Sequence, residues 1–224
     1  MRGATVTCPK CATEMPVAFS FCGKCGARLL ALQPVEGETK QVTVLFADIS
    51  GFTALAERLD PEELHENMRA AWDAIAIEIR AFNGLIEKYI GDAVVAVFGA
   101  VDNEIDHPAR AQRAALAILG ALDRENERIA ERTGRNLALR IGINTGLAVA
   151  GAVGDKESEF GVLGDAVNVA ARLEQAAEPG EVLVGDATYR LAPGLFAYEP
   201  HPPVAAKEAP RLHQRTHRDI ERAV

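Results

Sequence analysis

Three stretches of the chain combine residue types that together can handle a phosphate. QVTVLFADISGFT, residues 41–53, runs β-branched and apolar until it meets a carboxylate, Asp48. A strand that delivers Asp48 at its end, followed by a turn at Gly51, suits a hard cation held against a phosphate, because both need oxygen ligands and closely approaching amides. An aspartate there also suits a helix cap or a turn, so the stretch decides little alone. The second, EKYIGDAVVAVFG, sets Lys88 and Asp92 across a turn at Gly91. The third places Asn168 and Arg172 one helical turn apart on one face, where the alternative is a solvated polar pair.

The fourth candidate cluster is a metal set. CPKC and CGKC, with ten residues between them, put Cys8, Cys11, Cys22 and Cys25 into two Cys-x-x-Cys pairs. Four thiolates at that spacing form the closed ligand set of one structural zinc ion. Two disulfides or four thiols are the alternatives, and the absence of a secretory context weighs against the first. A module of 1–30 is too short to bury a core of its own, so metal ligation would supply its fold. With Phe21 ahead of the second pair and Gly26 to Leu29 after it, the segment resembles the short zinc ribbons that open many bacterial proteins.

The elements that must position these residues follow from periodicity. Residues 31–40, with Pro34 and Gly37, read as a linker, and a second domain is expected over 41–215 with a tail at 216–224. Asp60-Pro61-Glu62-Glu63 is a helix start, an Asp cap with proline at the first position. Leu64, Met68, Trp72, Ile75 and Ile79 continue it at helical spacing until Asn83-Gly84. Residues 85–90 and 93–98 read as a hairpin about Gly91-Asp92, and 106–133 as a long amphipathic helix ending at Gly134. His107 at its start reads as a surface residue. Leu137 to Asn144 and Leu147 to Val153 read as two strands turned at Thr145-Gly146, then a short strand at 160–163 and a helix from Gly164-Asp165. The order β-α-β-β-α-β is the ferredoxin-like pattern, which makes the class α+β: an antiparallel-rich sheet with helices packed on it, preceded by the small ribbon.

Composition fits a soluble globular protein of 224 residues, with 48% hydrophobic and 25% charged residues. No apolar run approaches the roughly 20 residues of a membrane span, and the N-terminus lacks the apolar core of a secretory signal, so a reducing cytoplasm is expected. A net charge of −8 argues against a general nucleic-acid binder.

FADISGFT, EKYIGDAVVAVFG, LRIGINTG and GVLGDAVNVAARLE, in that order, resemble the catalytic domain of class III nucleotidyl cyclases. The resemblance implies that Asp48 and Asp92, with the Ile49 carbonyl, hold two Mg²⁺ or Mn²⁺ ions, and that Arg172 stabilises the transferring phosphoryl group while Asn168 orients the ribose. It implies that amides near Gly51, Phe52 and Thr53 bind the outer phosphates, and that Lys207 is a further phosphate ligand. It also implies a head-to-tail homodimer whose two sites each draw on both copies. Lys88 matches the purine-selecting lysine of adenylyl cyclases, so ATP is the implied substrate, with cyclic AMP and pyrophosphate as products.

One position departs from the family. Gly161 stands where a residue that bonds the adenine amino group is expected, which predicts weaker discrimination of ATP from GTP. Two functions remain open from sequence: an adenylyl cyclase whose zinc ribbon docks a protein partner, and a silent or weakly active cyclase-like module that binds nucleotide and passes a signal.

Overall fold

The computed structural model describes residues 5–7, 11, 13–16, 23–25, 38–50, 60–101, 104–134, 136–152, 160–202, 204 and 211–213. Near the N-terminus, β1 (Thr5–Thr7) and β2 (Glu14–Pro16) pair antiparallel. Cys11 and Cys25 are half-buried, and Cys11 Sγ donates to Thr13 Oγ1 at 3.2 Å. Cys8 and Cys22 lie outside the described residues. Among the described residues no group of three or more His, Cys, Asp or Glu is gathered for a metal.

The remaining elements form one mixed sheet with helices on it. They are β3 (Glu38–Ser50), α1 (Pro61–Ala81), β4 (Leu85–Ile90), β5 (Ala93–Phe98), α2 (His107–Thr133) and β6 (Ala138–Ala152). There follow β7 (Phe160–Leu163), α3 (Asp165–Ala176), β8 (Val182–Val184), α4 (Asp186–Leu191), β9 (Ala197–Glu199) and β10 (Arg211–His213). The order is β4-β5-β3-β6-β8-β10-β9, with β7 paired to β6 beside β8. Its first four strands have the ferredoxin-like arrangement that the sequence predicts.

The central strand β3 is buried on both faces, and alternation explains how. Leu45, Ala47 and Ile49 join Met68, Ile75 and Ile79 of α1 and Ala115, Ile118 and Leu122 of α2. Val42, Val44 and Phe46 meet the other layer, Ala166 and Ala170 of α3. Helix α1 starts where the cap predicts: Glu62 N donates to Asp60 Oδ1 at 3.1 Å. It ends with Asn83 at φ 58° and Gly84 N donating to Ile79 O at 2.8 Å. Gly134, at φ 67°, closes α2.

Three expectations are corrected. Strand β3 begins at Glu38, inside the expected linker, because 38–40 continue the ladder with 148–150 of β6. Thr145-Gly146 is not a turn: β6 runs unbroken through it, pairing Thr145 with Thr43 and Gly146 with Val42. The glycine serves close approach, since a Cβ there would sit 3.1 Å from that of Ala166. His107 is buried at 6% exposure, not on the surface. Its Nδ1 lies 2.8 Å from Thr43 Oγ1, which is 2.8 Å from Thr145 Oγ1, which is 2.8 Å from Thr188 Oγ1. This buried hydroxyl chain gives each side chain the partner that burial demands.

Candidate active site

Asp48 stands near the end of β3 because the apolar run before it is satisfied on both faces. Opposite it in register are Ala93 of β5 and Arg140 of β6. Asp92 precedes Ala93 in the hairpin turn, where Gly91 takes φ 63°, and Ile49 N donates to Asp92 O at 3.3 Å. The sheet therefore brings the two predicted aspartates and Ile49 to the same end. The Asp48 side chain is 13% exposed, and Asp92 is half-buried.

Arg140 answers this concentration of negative charge. Its Nη2 donates to Asp48 Oδ2 and lies 3.3 Å from Glu174 Oε1 of α3. That second contact has ion-pair distance without hydrogen-bond geometry, so Glu174 Oε1 stays without a hydrogen-bond partner among the described residues. The bond to Asp48 holds the Arg140 guanidinium above its ordinary pKa. Burial pushes the Glu174 carboxyl up; Arg140 opposes the shift, and the charges of Asp48 and Asp92 add to it. Oxygen donors of this type suit Mg²⁺ or Mn²⁺. Two carboxylates brought to one end of the sheet, Asp48 and Asp92, are the donor set that fits a metal here, and Arg140 would have to yield Asp48 Oδ2 to it. Asp48 and Asp92 would supply two carboxylates, and the rest of a coordination shell would come from the Ile49 carbonyl, water and substrate oxygens.

Helix α3 carries the predicted Asn168 and Arg172 and turns them elsewhere. Ala166, Ala170, Leu173 and Glu174 are buried, while Asn168 and Arg172 are exposed. At about 100° per residue, Arg172 points roughly opposite to Glu174. A chain therefore directs Asn168 and Arg172 away from its own Asp48 and Asp92. Arg172 borders a cavity of about 480 Å³ shared with Asn144, Asp165, Val169 and Asp186. Asp48 and Asp92 are not among its lining residues. α3 sits close to β6 because Gly142 has no side chain: a Cβ there would lie 2.2 Å from Ala170 O and 2.3 Å from Glu174 N.

Lys88 lies on β4 with half its side chain exposed, 3.1 Å from Glu87 Oε1. Gly161 is buried in β7, opposite Gly151. Gly51, Phe52, Thr53 and Lys207 lie outside the described residues. Reasoning from sequence missed Arg140, Glu174 and Glu87. Arg140 carried a signal, a lone cation inside the apolar run LALRIGI; Glu174 carried one too, four residues after Ala170 on the apolar stripe of its helix.

Residues 35–216 match the family described as adenylate and guanylate cyclase catalytic domain. An adenylate cyclase of Anabaena cylindrica is 36% identical over 141 residues, 61% of this chain and 27% of that protein. A receptor-type guanylate cyclase of Caenorhabditis elegans, gcy-28, is 32% identical over 167 residues, 73% of this chain and 13% of that protein. The chain thus spans about a quarter or less of the length of these relatives. Among solved structures, the adenylyl cyclase CyaB of Pseudomonas aeruginosa superposes with a TM-score of 0.75 at 26% identity, covering 82% of this chain and 98% of that one. A rhodopsin-guanylyl cyclase core with converted specificity, in complex with ATPαS, gives 0.72 at 28% identity, covering 81% and 100%. With its matching region spanning most of its length and its acidic pair at one sheet end, this chain belongs to the adenylate and guanylate cyclase catalytic domain family.

Proposed function

We propose that the chain is an adenylyl cyclase that converts ATP to cyclic AMP and pyrophosphate at sites shared between two copies. The 3′-oxygen forms a bond to the α-phosphorus, the bond from that phosphorus to the bridging oxygen of pyrophosphate breaks, and the hydroxyl proton is released. Divalent ions held by Asp48, the Ile49 carbonyl and Asp92 would acidify the hydroxyl and neutralise the triphosphate. Asn168 orients the ribose, and Arg172 meets the charge that develops on the transferring group, a stabilisation that needs no rearrangement at the moment of reaction. Gly51, Phe52 and Thr53 offer amides to the outer phosphates, and Lys207 a further cation. Lys88 donates to the base.

One observation carries the shared-site reading: α3 buries Glu174 toward the acidic end and turns Asn168 and Arg172 outward. A second copy is the natural source of the missing half. Leu147, Val149 and Leu163, exposed at 66%, 42% and 63% on the β6–β7 arm, give such a copy an apolar face. The four cysteines are read as ligands of one structural zinc ion in a module that docks a protein partner. No helix among the described residues is long and apolar enough to cross a membrane.

A second reading, a silent nucleotide-binding module, is favoured by the Arg140 guanidinium on Asp48. A cyclase assay in Mn²⁺ with ATP and with GTP separates the two. Cyclic AMP formation that Asp48→Ala reduces by at least about a hundredfold supports the enzyme; nucleotide binding without product supports the module. Elemental analysis of the same preparation tests the zinc, one equivalent per chain being expected.

A further inference from the structure

Strand β4 is irregular at one residue. Its pairing with β5 steps from Ile86 opposite Ala96 to Lys88 opposite Val95, so Glu87 is the additional residue of a bulge. A bulge breaks the up-and-down alternation and re-aims side chains. Here the consecutive residues Glu87 and Lys88 meet, Nζ to Oε1, at 3.1 Å. The same Oε1 accepts the N–H of Val162, in β7, at 3.2 Å. β5 and β3 separate β4 from β6, the strand on which β7 hangs, so this contact is made by a side chain and not by the ladder.

The Glu87 side chain is 4% exposed, and its Oε2 has no hydrogen-bond partner among the described residues. A buried carboxylate with one oxygen unmatched opposes folding. Its contacts join the strand of Lys88 to the strand of Gly161, the position where the resemblance leads one to expect a side chain that bonds the base. We propose that Glu87 is a positioning residue for base recognition: it holds the Lys88 ammonium toward β7, in place of the partner that Gly161 does not provide. An ammonium has three N–H donors, and one is spent on Glu87. The others are left for an acceptor on the purine edge, N1 of adenine or O6 of guanine. Without the counter-charge, a lysine half in solvent samples many rotamers and loses that aim. The inference rests on the reading of Lys88 as the base-contacting residue.

Glu87→Gln keeps the volume and a carbonyl acceptor for the Val162 N–H and removes the charge. The probe pair is ATP and 1-deaza-ATP, which lacks the N1 acceptor. Wild type is expected to favour ATP by about tenfold in kcat/KM, and in Glu87→Gln and Lys88→Ala that ratio falls toward one. KM for ATP rises in Glu87→Gln more than kcat falls, and Tm stays level or increases. A merely structural clamp would lower Tm and leave the ratio intact, and that result overturns the proposal. Wild type that turns over both nucleotides equally removes the role of Lys88 and this inference with it, while the cyclase reading stands. Absence of turnover in wild type defeats the cyclase reading instead; the ratio of calorimetric binding constants for the two nucleotides then decides the role of Glu87.

Discussion

Asp48 and Glu174 sit on either side of one guanidinium, yet the two carboxylates stand differently. Asp48 has the hydrogen bond from Arg140, while Glu174 has only proximity and is raised above its ordinary 4.5 mainly by burial. A carboxyl with a raised folded pKa favours folding while protonated. That contribution is fully present below pH 4.5 and is lost as pH rises through the folded value. Glu174→Gln, a neutral mimic of the protonated form, is therefore expected to raise Tm relative to wild type at pH 7.5, with the gain shrinking to nothing toward pH 4. Thermal unfolding across that range checks it; a gain that grows on acidification would contradict the sign. The placing of the aspartates at one sheet end was legible in sequence because Asp48 closes an apolar run and Asp92 sits in a glycine turn just before another. Arg140 and Glu174 were not placed beside Asp48 from sequence, because what brings them there is the crossing of α3 over β6, which no local pattern records.

That crossing is an element-scale property, and it depends on what β6 lacks. At Gly142 any side chain would overlap backbone of α3, with Ala170 O and Glu174 N both nearer than 2.5 Å to the added carbon. Backbone cannot rotate aside as a flexible side chain does, so Gly142→Ala must lift α3 from the sheet. The expected cost is about 1–3 kcal/mol or somewhat more, read as a lowered urea midpoint, together with reduced kcat from displaced Asn168 and Arg172. Unchanged stability would mean that α3 is free to shift. The same feature explains where reading by element failed. Thr145-Gly146 has the composition of a turn, but the glycine admits Ala166 and the threonine joins a buried hydroxyl chain. The hairpin at Gly91-Asp92 and both long helices were legible because their signals, alternation, caps and a left-handed glycine, are local.

At the scale of the whole molecule, the proposed reading gives one chain two half-sites, the acidic end of the sheet and the outward face of α3. Two-fold pairing of identical copies would set the acidic end of each against the α3 face of the other and produce two equivalent sites. Complementation between inactive variants follows from that geometry. In Asp48→Ala every site lacks a metal ligand, and in Arg172→Ala every site lacks the phosphoryl-facing cation, so each alone is expected to be inactive. Mixed in equal amounts and allowed to exchange, half of the dimers are mixed. In each of these, one site takes both lesions and the other takes none, so about a quarter of wild-type activity should return. If both lesions acted within one chain's own site, every site in the mixture would carry a defect and nothing would return. The amount recovered therefore reports whether α3 serves its own acidic end or that of a neighbour.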